Sequence, residues 1–273
     1  MSLFDFFLNF LEAPGTSECA GCGQTIQGAR IDALGKAWHP EHFRCTVCDC
    51  RLPLAFRVGP YQEPYCSSHT DGEVICSCCG HVTASTIRTG RGAVLCRACG
   101  GEVIRDLPAA IELFLRVQRS LRGSGLPWWP RALPLRLATL EELNAASDKP
   151  RSDQAGLILI RRIESQEAEV TAILALRGLP RLNLSMVLAH ELGHAWVVQH
   201  RIAGLPLVVE EGFCEYCSYL WLTASRDPRA PYQLERLVRN PDPVYGDGYR
   251  QVSEVHTKEG IRGVLTWLGK QSS

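Results

Sequence analysis

The sequence predicts an α+β protein in which small, β-rich, metal-binding modules precede a larger unit of strands and helices. Three observations carry that reading. Eleven of the thirteen cysteines lie before residue 100, mostly in pairs two residues apart. Residues 101–150 are apolar and free of cysteine. Beyond residue 155, apolar runs of strand length give way to long stretches of helical period.

Composition narrows the class. The 273 residues are 45% hydrophobic and 21% charged, ordinary for a soluble globular chain long enough for more than one unit. Lys and Arg total 29, as do Asp and Glu. A chain built to follow nucleic-acid phosphates is usually basic, so no nucleic-acid partner is expected. An odd cysteine count in close pairs argues for metal ligation over a disulfide framework. Thiolate ligands need a reducing environment, so a cytoplasmic location is expected.

Residues 1–15 read MSLFDFFLNFLEAPG. Asp5 and Asn9 interrupt the apolar run, no basic flank precedes it, and it is too short to span a bilayer. Phe4, Phe7, Leu8 and Leu11 fall at helical spacing, so a short helix packing on the body or a partner is expected, with no membrane contact.

Residues 16–72 carry Cys19-x2-Cys22, His39-x2-His42, Cys45-x2-Cys48 and Cys66-x2-His69. Eight ligands at knuckle spacing make two tetrahedral zinc sites. The run Trp38-His39-Pro40-Glu41-His42-Phe43-Arg44-Cys45 resembles a LIM domain. That resemblance assigns Cys19, Cys22, His39 and His42 to one zinc, and Cys45, Cys48, Cys66 and His69 to the other. Residues 73–103 hold Cys76-x2-Cys79 and Cys96-x2-Cys99 around a hairpin whose turn is Thr89-Gly90-Arg91-Gly92, a LIM-like ribbon for a third zinc. Cys50, Cys78 and His81 fall outside these patterns and read as bystanders, His81 as solvated. Closed four-ligand sites do no chemistry. Each contributes on the order of 10 kcal/mol to folding and holds a small surface rigid, here for protein partners.

Residues 104–273 form the larger unit. Leu107, Ala110, Ile111, Phe114, Gln118 and Leu121 describe a helix face with Asp106 as N-cap, broken by Gly123, Ser124, Gly125 and Pro127. Thr139 and Glu142 form a capping box for a short second helix. Gly156–Ile160 and Val170–Leu176 read as neighbouring strands. Helices are expected over Leu184–His200, over Glu210–Thr223, and from about Gly248 to Leu268.

Residues 190–194 read His-Glu-Leu-Gly-His. On a helix, His190 and His194 share a face and can grip one ion, while Glu191 at its edge can take a proton from water and pass it to a leaving amine. The flanks are apolar, and a polar triplet within a buried helix is costly unless it is satisfied. A third ligand is needed, and Glu210 and Glu211 both lie within reach. Glu211 is preferred because its i+4 neighbour, Glu215, can accept the free imidazole N–H of a ligating histidine, whereas Glu210 has Cys214 there. Tyr245, Tyr249 and His256 are candidates to stabilise an oxyanion. Cys214 and Cys217 read as small buried residues. The block resembles the gluzincins, whose third ligand is a Glu on the following helix and whose small, thermolysin-type members place two strands before the motif helix.

The order LIM, LIM-like ribbon and HExxH unit resembles the ubiquitin-activated LIM-peptidases, plant regulators of organ size called DA-one peptidases. Matching stretches are Leu133-Pro134-Leu135-Arg136-Leu137 with Leu143-Asn144, Leu188 through Trp196, Glu210-Glu211-Gly212, and Tyr245-Gly246-Asp247-Gly248-Tyr249-Arg250. The resemblance implies a zinc-dependent endopeptidase with ligands His190, His194 and Glu211, general base Glu191, protein substrates, and protein partners at the LIM modules. One catalytic and three structural zinc ions are expected. The plant members carry acidic ubiquitin-interacting motifs ahead of the LIM domain, whereas the residues before Cys19 here are apolar. A compact chain of this kind is expected to be bacterial. The competing reading is a LIM scaffold with a latent or inactive peptidase unit.

Overall fold

A computed structural model describes residues 9–10, 17–89, 91–126, 133–162 and 168–272. The chain divides into two compact units, Met1–Gly100 and Gly101–Ser273. The architecture is α+β, with Cys/His-rich modules in the first unit.

The first unit contains β1 (Asn9–Phe10), β2 (Ile31–Ala33), β3 (Lys36–Trp38), β4 (Arg57–Val58), β5 (Pro64–Tyr65), α1 (Asp71–Val74) and α2 (Arg97–Gly101). Most of the expected N-terminal helix lies outside the described residues. Asn9 and Phe10, however, pair antiparallel with Asp32 and Ile31, so extended pairing replaces a helical turn there. Leu34 and Gly35 join β2 to β3 with φ of 56° and 70°, the left-handed pair that a two-residue hairpin turn demands. With so little regular structure, the core is a knot of aromatics. Phe43 lies edge-on to Trp38 at 5.5 Å and to Phe56 at 5.1 Å. Tyr65 is buried beside them and donates to Asp71 Oδ1 at 2.5 Å.

Val82 of the ribbon joins the same core, so the LIM and ribbon modules share apolar packing. Glu63 reinforces that junction by accepting from Val82 N at 3.0 Å and pairing with His81 Nδ1 at 2.6 Å. His81 is exposed, as expected, and also stacks on Tyr61 at 4.2 Å. In the ribbon hairpin, Thr89 N donates to Ala93 O, while Gly90 lies outside the described residues.

The second unit contains β6 (Val103–Ile104), α3 (Leu107–Gly123), β7 (Leu135–Ala138), α4 (Leu140–Ala146), β8 (Gly156–Arg162), β9 (Ala168–Leu176), β10 (Leu179–Pro180), α5 (Arg181–Gln199), α6 (Leu207–Ala224), α7 (Ala230–Val238) and α8 (Tyr245–Gln271). The sheet order is β7-β9-β8, with β7 parallel and β8 antiparallel to β9. The central strand is apolar on both faces: Ala172, Ile173, Leu174, Ala175 and Leu176 are all buried. Asp106 caps α3 by accepting from Ala109 N at 2.9 Å, and the Thr139–Glu142 capping box opens α4. Among the described residues, no helix is long and apolar enough to cross a membrane.

Helix α5 packs on β8 and β9, on α3 and on α6, and α6 packs in turn on α8. Three glycines set these approaches. A Cβ on Gly193 would meet Cys214 Cα at 2.9 Å and Cys217 Sγ at 3.2 Å, so α5 and α6 touch almost backbone to backbone. Gly212 of α6 and Gly248 of α8 press on each other so closely that neither has room for a side chain. Gly260 breaks α8 with φ 66° and ψ −169°.

Candidate functional site

His190 and His194 project from one face of α5, their ring centroids 5.1 Å apart. The start of α6 faces them with three carboxylates. Glu211 Oε2 lies 3.2 Å from His190 Nε2 and 3.5 Å from His194 Nε2, so the two ring nitrogens and one carboxylate oxygen converge on a point. The opposite nitrogens are also held: His190 Nδ1 lies 3.1 Å from Glu215 Oε1, and His194 Nδ1 lies 2.9 Å from Glu210 Oε1. The sequence reading paired Glu215 with a histidine and missed Glu210 as the holder of the other. The i+4 rule within α6 carries no signal for Glu210, because its role comes from the helix crossing.

A ring nitrogen of each histidine also comes within 4.8 Å of Cys214 Sγ. Cys214 nevertheless packs against Gly193 in the helix crossing, fully buried. Burial, with Cys217 and the carboxylates of Glu211, Glu210 and Glu191 behind it, pushes its thiol well up, so it stays protonated and apolar. Glu211, by contrast, brings a charged oxygen to within 3.2 Å of His190 Nε2 and 3.5 Å of His194 Nε2.

The electrostatics fit a divalent cation. Burial alone would depress both imidazoliums, but hydrogen bonds to Glu211 and Glu215 hold His190 well above its usual range. Glu210 and Glu211 likewise bring His194 up to about 9. Burial works to raise Glu211, yet the two histidines hold it well below the carboxylate range. Three carboxylates around two histidines thus keep protons in the cluster, where a metal ion would replace them. Glu191 is buried, and burial raises its pKa against the pull of the histidines. Gly156, the first residue of β8, has no side chain because the Glu191 carboxyl fills that space.

The three oxyanion candidates separate. The Tyr245 ring lies 6.2 Å from that of His190. Tyr249 is buried beside Tyr219, ring centroids 5.5 Å apart. His256 Nδ1 is engaged by the Tyr216 hydroxyl at 2.6 Å. Arg151, which the sequence reading did not single out, donates from Nη1 to the Tyr245 hydroxyl at 2.6 Å. His200 stacks on Trp196 at 3.9 Å at the end of α5.

In the first unit, the ligand atoms of Cys19, Cys22, His39 and His42 come within 4.8 Å of one another, as do those of Cys45, Cys48, Cys66 and His69, and those of Cys76, Cys79, Cys96 and Cys99. Backbone amides point at the sulfurs: His39 N and Gly21 N donate to Cys19 Sγ, and Val47 N and Cys66 N to Cys45 Sγ. Against the cost of burial, such bonds bring the Cys19 thiol down to about 6. A hydrogen bond from Ser68 leads in bringing Cys66 down to about 7. His69 Nε2 is buried without a hydrogen-bond partner, which a metal ion would supply. Cys50 is exposed beside the cluster, and hydrogen bonds with Cys48, then desolvation and contact with Cys66, push its thiol up to about 12. Donor types, spacing and this orphaned nitrogen fit zinc.

Comparison with known proteins finds a match in each part of the chain. Residues 19–74 match the LIM domain family model, and residues 135–233 match the model described as DA1-like. The chain is 27% identical to Protein DA1 of Arabidopsis thaliana, over 94% of this chain and 63% of that protein. It is 24% identical to Protein DA1-related 1 of the same plant, over 90% and 64%. It is also 24% identical to LIM domain-containing protein HDR3 of Oryza sativa subsp. japonica, over 93% and 73%. The chain spans a little under two thirds of the first two relatives. It therefore joins a zinc-binding LIM domain to a DA1-like segment and is homologous to the Arabidopsis DA1 proteins.

Proposed function

We propose that this protein is a zinc-dependent endopeptidase of gluzincin-like, minimal thermolysin type, with protein substrates and with LIM and ribbon modules that dock proteins. The observation that carries the reading is the convergence of His190 Nε2, His194 Nε2 and Glu211 Oε2, with Glu191 on the same helix. The three-stranded sheet against the motif helix supports the fold assignment.

His190, His194 and Glu211 would hold the catalytic metal, with Glu210 and Glu215 fixing the ring orientations. A zinc ion held there would supply Lewis acidity, to polarise a carbonyl and to lower the pKa of water to about 7. Glu191 does the proton work. Its buried carboxyl takes a proton from the attacking water and gives it to the leaving amine. Tyr245 is the donor for the carbonyl oxygen as charge develops there. The three Cys/His clusters of the first unit would hold three structural zinc ions, giving four per chain. Their thiolates suit a reducing compartment such as the cytoplasm.

The test is Glu191→Gln with bound zinc measured alongside. Cleavage of a protein panel, read by mass spectrometry, should fall by about 10²–10⁴-fold while the chain still holds four zinc ions. Equal cleavage by both forms would sink the peptidase reading. A zinc-loaded wild type that cuts nothing, with or without residues 1–100, would favour the scaffold reading.

A further inference from the structure

We propose that Arg151 is a positioning residue that aims the Tyr245 hydroxyl at the substrate carbonyl; the inference rests on the peptidase reading above. Arg151 lies in the connection between α4 and β8, and its backbone amide is held by Asn144 Oδ1 at 2.9 Å. The Asp153 carboxylate grips the guanidinium two-handed, at 2.9 Å from Nε and 2.9 Å from Nη2. That grip turns the remaining nitrogen, Nη1, onto Tyr245 Oη at 2.6 Å, with Cζ 5.4 Å from the ring centroid.

Two chemical facts give this contact direction. A guanidinium only donates, whereas a phenol has one proton to give and lone pairs to fill. Arg151 must therefore occupy a lone pair of Tyr245, which leaves the phenolic proton free to donate elsewhere. A cation on that oxygen also strengthens the O–H as a donor. Stability is a poor explanation for the arrangement. The Arg151 and Asp153 side chains are 47% and 65% exposed, and such surface pairs contribute little to stability. Five residues further along, Gly156 opens β8 and clears the space that Glu191 fills. The connection and the strand it enters thus serve both the proton-transfer group and the oxyanion donor.

The experiment uses the zinc-loaded full chain and a phosphinic peptide, which mimics the tetrahedral state without being cut. Its affinity is measured by calorimetry for wild type, Arg151→Met, Tyr245→Phe and the double variant, with kcat and KM for a cleaved peptide alongside. Arg151→Met should weaken phosphinate binding about tenfold and lower kcat with KM unchanged. Tyr245→Phe should cost kcat about 10²-fold, and the double variant should be no worse than Tyr245→Phe alone. Arg151→Lys, which keeps a donor, should recover part of the loss, and Asp153→Asn gives a second, milder disturbance of the same aim should Arg151→Met fold poorly. Fully additive losses, or losses that follow zinc content alone, overturn the positioning role and leave the peptidase reading intact. A wild type that neither binds the phosphinate nor cleaves any peptide overturns both.

Discussion

Glu210, Glu211 and Glu215 illustrate how little separates a candidate ligand from its support. One step along α6 divides the carboxylate that meets both Nε2 atoms from the carboxylate that meets only His194 Nδ1. Glu211→Gln should abolish tight metal binding at this site. Glu210→Gln and Glu215→Gln should each weaken it by about 10–100-fold, read by competition with a chromophoric chelator. Equal affinity in wild type and both outer variants would show that the Nδ1 contacts do not orient the rings. That Glu211 and Glu215 lie together at His190 was legible in the sequence, because both sit on one face of one helix. Glu210 was not, since its partner sits on a different helix. Arg151 was invisible for the same reason: 94 residues separate it from Tyr245.

At the scale of the element, glycines decide where the functional side chains arrive. Gly193 lets α6 lie against α5, and the Gly212–Gly248 contact draws the first turns of α8 onto α6, which brings Tyr245 close to His190. Gly193→Ala should cost about 1–3 kcal/mol through overpacking, despite the better helix propensity of alanine. Thermal melts should show the loss, and zinc affinity should fall with it. A stabilised variant would mean that the crossing has slack. The long helices were legible from their apolar period and came out only one to three residues short at most ends. α7 carries no expectation from the sequence; it is short, and Pro231 sits in its first turn, where proline is welcome. β7 was missed as a strand because its partner is non-local: Leu135 pairs with Ile173.

For the molecule as a whole, the two units should respond differently to metal removal. Among its described residues, the first has short strands, two helices of four and five residues, and three Cys/His clusters, so its folding should depend on zinc. The second has a continuous apolar core through β9, α5 and α6. A strong chelator should abolish the chemical-shift dispersion of residues 17–100 while the amides of α5 and α6 stay protected from hydrogen exchange. Loss of protection in both together would show one cooperative unit. The modular order was legible because ligand spacing is written locally in the chain. The shared LIM–ribbon core was not, because Val82 gives no hint that it packs with Phe43 and Tyr65.

The three sulfur-rich clusters also have an electrical consequence. Uncharged thiols leave the chain formally neutral, with 29 basic and 29 acidic residues. Filling those clusters turns nine thiols into thiolates against three divalent ions, so the first unit becomes three charges more negative. A cation between His190, His194 and Glu211 replaces protons already held on the two histidines, so the charge of the second unit changes little. Metal occupancy therefore shifts charge in the first unit alone, and isoelectric focusing at graded zinc should resolve the filling of its three clusters step by step.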